Sequence, residues 1–145
     1  MAIDRVEGEG RWDWAQQQAE LFETTGGKEG GTFEGFPIMV LTTTGAKSGQ
    51  PRKTPLMLVE LDDSYIAAAS KGGAASNPAW YVNLTNNARV KLQVGELVME
   101  CLATTLEGKE RDAAWQRAVE TYPSYAVYAE RTDRTIPVVK LTPTS

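Results

Sequence analysis

The sequence predicts a mainly β fold of the α+β kind, a small barrel of about six largely antiparallel strands with three flanking helices. Three observations carry that expectation. Val90–Val94 and Leu97–Ala103 alternate apolar with polar residues on either side of Gly95-Glu96, which is a strong hairpin pattern. The strand-like runs follow one another in hairpin order, without the regular strand–helix alternation that a doubly wound parallel sheet requires. Helical periodicity is confined to three short stretches, which suits helices packed outside a barrel.

Taken in order, residues 1–11 are polar and glycine-containing and read as a flexible N-terminal segment, leaving 12–145 as a single domain. Trp12, Ala15, Ala19 and Phe22 fall at helical spacing, and Gly26-Gly27 stops that helix. Ile38–Leu41 is a strand. Leu56–Leu61 is a second, turning at Asp62-Asp63-Ser64 into a third, Tyr65–Ala69, as its hairpin partner. Pro78 suits the first turn of a short helix reaching about Asn86. The Gly95-Glu96 hairpin supplies two more strands. Glu107–Thr121 is helical, with Trp115 and Val119 on one stripe and Ala114, Ala118 and Tyr122 on the next, and Pro123 ends it. Ile136–Leu141 is the last strand, where Pro137 marks an edge or a strand start.

The chain has 145 residues, 41% of them apolar, which suffices for a core. Its 15 basic and 19 acidic residues give a net charge of −4, which argues against nucleic-acid binding while leaving room for a local basic pocket. One cysteine permits no internal disulfide, and no apolar run approaches about 18 residues, so a cytoplasmic setting is the expectation. With no histidine and one cysteine, a zinc site is disfavoured and a Ser-His-Asp triad is excluded.

The basic stretch Thr42-Thr43-Thr44-Gly45-Ala46-Lys47-Ser48-Gly49-Gln50-Pro51-Arg52 stands out in an acidic chain. Lys47, Ser48 and Arg52 can meet one phosphate or carboxylate while backbone N–H groups between Gly45 and Gly49 form a nest around it. It is not a P-loop, because the glycine spacing differs and no helix follows Lys47-Ser48. The plain alternative is a solvated hairpin turn. Ser70-Lys71-Gly72-Gly73-Ala74 ends another strand, and its glycines let a planar ligand approach the backbone, or simply make a turn. In Asn77–Leu84, Trp80 and Leu84 share a helix face with Asn83 close by, either as core or as an aromatic wall whose Asn83 amide bonds a ring edge or a phosphate. Tyr122, Tyr125 and Tyr128 recur every third residue, covering a core or lining a substrate mouth. Arg134 is expected to anchor its segment on an acid. No nucleophile–base pair accompanies these residues, so an enzyme of this kind needs a bound organic cofactor.

Together these blocks, with Tyr122-Pro123-Ser124-Tyr125-Ala126 and Ile136-Pro137-Val138-Val139, resemble the deazaflavin (F420)-dependent nitroreductase and F420H2-dependent quinone reductase family from about Phe33 to Leu141. The resemblance implies a split β-barrel like the FMN-binding split barrel. It implies hydride transfer from reduced coenzyme F420 to a quinone or another electron-poor acceptor such as a nitro compound. It assigns Lys47, Ser48 and Arg52 to the cofactor's phosphate and acidic tail. Ser70, Lys71, Gly72, Gly73 and Ala74 go to the deazaflavin ring and its linker, Pro78, Trp80 and Asn83 to the continuing wall, and Tyr122, Tyr125 and Tyr128 to the acceptor side. Relatives often carry Arg in place of Ala46 and His in place of Asn77 or Val82. A homodimer and weak peripheral membrane contact through Trp12, Trp14 and Phe22 are further expectations. The rival readings are FMN as the cofactor, its phosphate in the same loop, or a non-catalytic carrier of F420, FMN or haem.

Overall fold

The computed structural model describes residues 32–33, 35–70 and 76–144. The N-terminal segment 1–11, the Trp12–Phe22 helix and Lys71, Gly72, Gly73 and Ala74 lie outside the described residues.

Among the described residues, eight strands and three helices follow in the order β1 (Thr32–Phe33), β2 (Phe36–Thr44), β3 (Pro51–Met57), β4 (Glu60–Leu61), β5 (Ser64–Ala68), α1 (Ala79–Asn86), β6 (Arg89–Val94), β7 (Leu97–Thr105), α2 (Gly108–Thr121), α3 (Ser124–Glu130) and β8 (Val138–Pro143). Every strand pairing is antiparallel, in the order β1-β2-β6-β7-β8-β5-β4, with β3 on the other side of β2. The stretch from Pro51 to Leu61 curls the sheet into a barrel. Its first part pairs with β2, and Leu58 N–H still donates to Pro37 O at 3.0 Å. Its second part pairs with β5, where Val59 O accepts Ile66 N–H at 2.9 Å. One bent segment thus joins the two flanks of the sheet, as in a split β-barrel.

Most strand expectations hold with shifted ends, but the expected Leu56–Leu61 strand is divided between the end of β3 and β4. The second strand begins at Pro51 and is interrupted after Met57, and the last runs from Val138 to Pro143, just beyond Pro137. β6 and β7 meet at Gly95, whose φ of 59° is left-handed and so suits a residue without a Cβ. Of the three expected helices, two are described; Ser124–Glu130 is a further helix that follows Pro123 directly.

Alternation along the strands divides the core in two. Ile38 and Val40 of β2, with Ile66 and Ala68 of β5, pack outward against Ala114 and Ala118 of α2 and Tyr122, Tyr125 and Tyr128. Met39 and Leu41, with Ala67 and Ala69, face the opposite side, where Trp80 and Leu84 of α1 fill the space between them and Leu92, Cys101 and Leu141. Both faces of β2 are therefore buried, which is why its sequence reads as a continuous apolar run.

Candidate functional site

The basic stretch is the tip of the β2–β3 hairpin. Thr44 opposes Pro51 and Thr43 opposes Arg52, so the Arg52 side chain leaves the ladder on the same face as Thr43. Gly45 N–H donates to Gln50 O at 2.8 Å and Gly49 N–H to Gly45 O at 2.9 Å, closing the loop. Gly45 is buried, and a Cβ there would meet Ser48 Oγ at 2.6 Å; Gly49 has φ 71°, a left-handed conformation. The two glycines are thus required for different reasons, one by space and one by backbone angle.

Ser48 Oγ accepts from Gln50 N–H at 3.1 Å and from Arg52 Nη2 at 3.2 Å. With both lone pairs engaged, its hydroxyl proton is left to donate. The Lys47 side chain is exposed, and the amide N–H groups of Lys47 and Ser48 donate to no acceptor among the described residues. Two amides without an acceptor among the described residues, a hydroxyl, an ammonium and a guanidinium therefore share one loop, a donor set matched to an oxyanion.

Helix α1 holds that loop in place. Asn83, 8% exposed, accepts Ala46 N–H on Oδ1 at 3.0 Å and donates from Nδ2 to Thr43 Oγ1 at 3.1 Å. Its amide thus has two protein partners in the basic hairpin. One turn earlier, Trp80 is 3% exposed and its Nε1–H has no hydrogen-bond partner among the described residues. A buried donor without an acceptor is costly, by about 1–3 kcal/mol, unless a ligand supplies one. Pro78, buried, precedes the helix as its N-cap, with φ −67° and ψ 155°.

Ser70 is fully buried just past the end of β5, on the same stretch as Ala69, which packs in the cluster that contains Trp80. Arg134, expected as the anchor of its segment, secures this corner. Arg134 donates from Nη2 to the carbonyl oxygens of Ala69 (3.0 Å) and Ser70 (2.8 Å), and from Nη1 to Asn77 Oδ1 (2.7 Å). Among the described residues these three oxygens form the anchor, and no local signal in the sequence links Arg134 to residues 64 and 65 positions earlier.

Tyr122, Tyr125 and Tyr128 are brought together, but on the other side of the sheet from Trp80. Their rings stack edge-on or tilted at 5.2 to 6.3 Å, Tyr122 and Tyr128 share a hydroxyl–hydroxyl bond of 3.2 Å, and all three are at most 5% exposed. These are core positions packed with α2 and α3, the first of the two readings that their spacing allowed, while the resemblance had placed them on the acceptor side.

A cavity of about 760 Å³ lies elsewhere, between the β4–β5 turn, β7 and the chain end. Glu60, Asp62, Asp63 and Glu100 line it, and that charge disfavours an anionic ligand. There burial, together with the Glu60 carboxylate and Cys101, pushes the Tyr65 phenol above its ordinary range.

Comparison with known proteins identifies the family. The model of a family described as F420H(2)-dependent quinone reductase matches residues 14–143. An F420H(2)-dependent quinone reductase of Mycobacterium tuberculosis is 39% identical over 126 residues, 84% of this chain and 85% of that protein. The chain belongs to the F420H(2)-dependent quinone reductase family. A solved structure described as an F420-H2 dependent reductase (FDR-A) is 49% identical, covers 72% of this chain and 93% of its own, and superposes with a TM-score of 0.69. The heme storage protein HutZ of Vibrio cholerae, 14% identical over 74% of this chain and 82% of its own, shares the fold with a TM-score of 0.57.

The residues present fit the cofactor that the family name implies. Lys47, Ser48 and Arg52 present donors suited to a phosphate and carboxylates. The orphaned Trp80 N–H fits a ring that carries carbonyl oxygens.

Proposed function

We propose that this chain is an F420H2-dependent oxidoreductase that delivers a hydride to a quinone, with nitro compounds as a second acceptor class. The observation that carries the reading is the oxyanion-type donor set of the Lys47–Arg52 loop, locked through Asn83 to the helix that bears Trp80. When bound, reduced F420 supplies the hydride, and its deazaflavin ring favours two-electron transfer.

The protein's own residues bind and orient. Lys47, Ser48 and Arg52 hold the anionic tail, with the Lys47 and Ser48 amides completing the nest. Asn83 acts through the loop, fixing Ala46 and Thr43 so that the donors converge before the ligand arrives. Ser70, Pro78 and Trp80 line the ring side, with Lys71, Gly72, Gly73 and Ala74 assigned beside them by the family resemblance. The quinone gains a hydride and one proton to become a hydroquinone. Solvent supplies the proton, since the phenols of Tyr122, Tyr125 and Tyr128 lie in the core. The tyrosines then serve the acceptor side only by fixing α2 and α3 against the sheet. No helix among the described residues is long and apolar enough to cross a membrane.

The test is acceptor-dependent loss of reduced-F420 absorbance. Purified protein mixed with reduced F420 and a soluble quinone should consume the cofactor, and omission of either quinone or protein should stop it. Tight F420 binding with no quinone- or nitro-dependent turnover would make the protein a carrier. Binding of FMN in preference to F420 would replace the cofactor.

A further inference from the structure

We propose that Arg134 is a positioning residue for the cofactor: its guanidinium sets the span between the end of β5 and the start of α1, and thereby the placement of Ser70, Pro78 and Trp80. This rests on the F420 reading above.

Three observations support it. First, Ala69 and Ser70 lie beyond the last β5–β8 pair, Ala68↔Val138, and both residues are fully buried. The Ala69 N–H is still served by Pro137 O at 2.9 Å, but the carbonyls of Ala69 and Ser70 have left the ladder. Arg134 Nη2 donates to both, one N–H to each. Second, the start of α1 has no side-chain cap and no acidic residue in its first turn. The neighbouring Asn77 is held by Arg134 Nη1 at 2.7 Å, so the same guanidinium supplies a tether at the helix entry. Third, Pro78 follows Asn77 directly with its φ fixed by the ring, so the direction of entry set at Asn77 passes with little slack to Trp80.

Arginine suits this task and lysine does not. Three acceptors on two chain segments are met by a rigid planar fork with spaced N–H groups, whereas an ammonium presents its donors from a single nitrogen. The contact is partly exposed at Arg134 and exposed at Asn77, so it acts at the edge of the core.

The experiment uses the full chain with Arg134→Lys and Asn77→Ala. Thermal midpoints are recorded first, then F420 affinity by fluorescence titration at low and at high salt. Arg134→Lys keeps the charge and leaves the Lys47–Arg52 loop untouched. Its dissociation constant should rise about tenfold, by the same factor at both salt concentrations. Asn77→Ala, at an exposed position, should raise it about threefold with the midpoint little changed, and it decides the matter if Arg134→Lys fails to fold. A lowered midpoint with wild-type affinity in the folded protein would reduce Arg134 to a structural role and overturn the proposal. Wild-type protein that binds no F420 would remove the cofactor reading and this proposal with it. Wild-type binding with unchanged affinity in the foldable variants would remove this proposal alone.

Discussion

Asn83 and Ala46 stand 37 residues apart in the chain, yet the Asn83 side-chain oxygen accepts the Ala46 amide at 3.0 Å. The same side chain donates to Thr43 Oγ1 at 3.1 Å, so a single amide ties the basic hairpin to α1. Asn83→Ala should leave Ala46 N–H and Thr43 Oγ1 without these partners and cost about 1–3 kcal/mol of stability. F420 affinity should fall about tenfold as the loop loses its register. Combined with Thr43→Val, the two losses should be less than additive in a double-mutant cycle, since the Asn83–Thr43 bond is lost in both variants. Full additivity would show that the two side chains do not act together.

Gly45 tests the packing of the loop. A methyl group there meets Ser48 Oγ at 2.6 Å, so Gly45→Ala must displace the hydroxyl that holds Arg52. F420 affinity should drop, while Gly49→Ala, whose Cβ meets nothing within 4 Å, should instead cost about 1 kcal/mol of stability through its positive φ. Titration and thermal melts on the two variants separate space from strain.

The tyrosine cluster gives the opposite signature. Tyr122→Phe or Tyr128→Phe breaks the 3.2 Å hydroxyl pair and should cost about 1 kcal/mol in a urea melt. Turnover with a quinone should stay within about twofold of wild type, because neither phenol lies beside Trp80. A hundredfold loss in kcat at unchanged stability would return the tyrosines to the acceptor side.

Cys101 sets an alkaline limit. It is 1% exposed, and burial pushes its thiol above the ordinary 9.0. A raised folded-state pKa means that the unfolded chain releases the proton first. The stabilising contribution is therefore complete below the unfolded value and is lost as pH rises toward the folded one. Thermal midpoints of wild type should fall in that alkaline window, and Cys101→Ala should show a shallower fall. Identical slopes would assign the loss to other groups, with Tyr65 the next to examine.

Much of this architecture is legible in the residues. The Val90–Ala103 hairpin, the Pro78–Asn86 helix and the Glu107–Thr121 helix each follow from local period and turn chemistry. The β3 strand does not, because Pro51 and Pro55 discourage a strand reading. The structure tolerates them since β3 pairs with β2 alone over that stretch, leaving one side without ladder partners. The helix Ser124–Glu130 is hidden for a related reason, since Pro123 reads as a terminator and here also caps the next helix. At the site, the Lys47–Arg52 loop is visible as composition. What holds it, Asn83 with Ala46 and Thr43, and the oxygens that Arg134 holds on the ring side are not, because those bonds join residues 37 to 65 positions apart. Three tyrosines at every third residue look alike whether they face ligand or core, and only the sheet face decides.

The most direct measurement is a fluorescence titration of F420 into wild type, Lys47→Ala and Arg52→Ala at low and high salt. Wild type should bind, and each variant should weaken binding about tenfold at low salt and distinctly less at high salt, where the lost charge is screened anyway. Equal affinities for all three proteins at both salt concentrations would contradict it, because the anionic tail would then lie away from the β2–β3 loop.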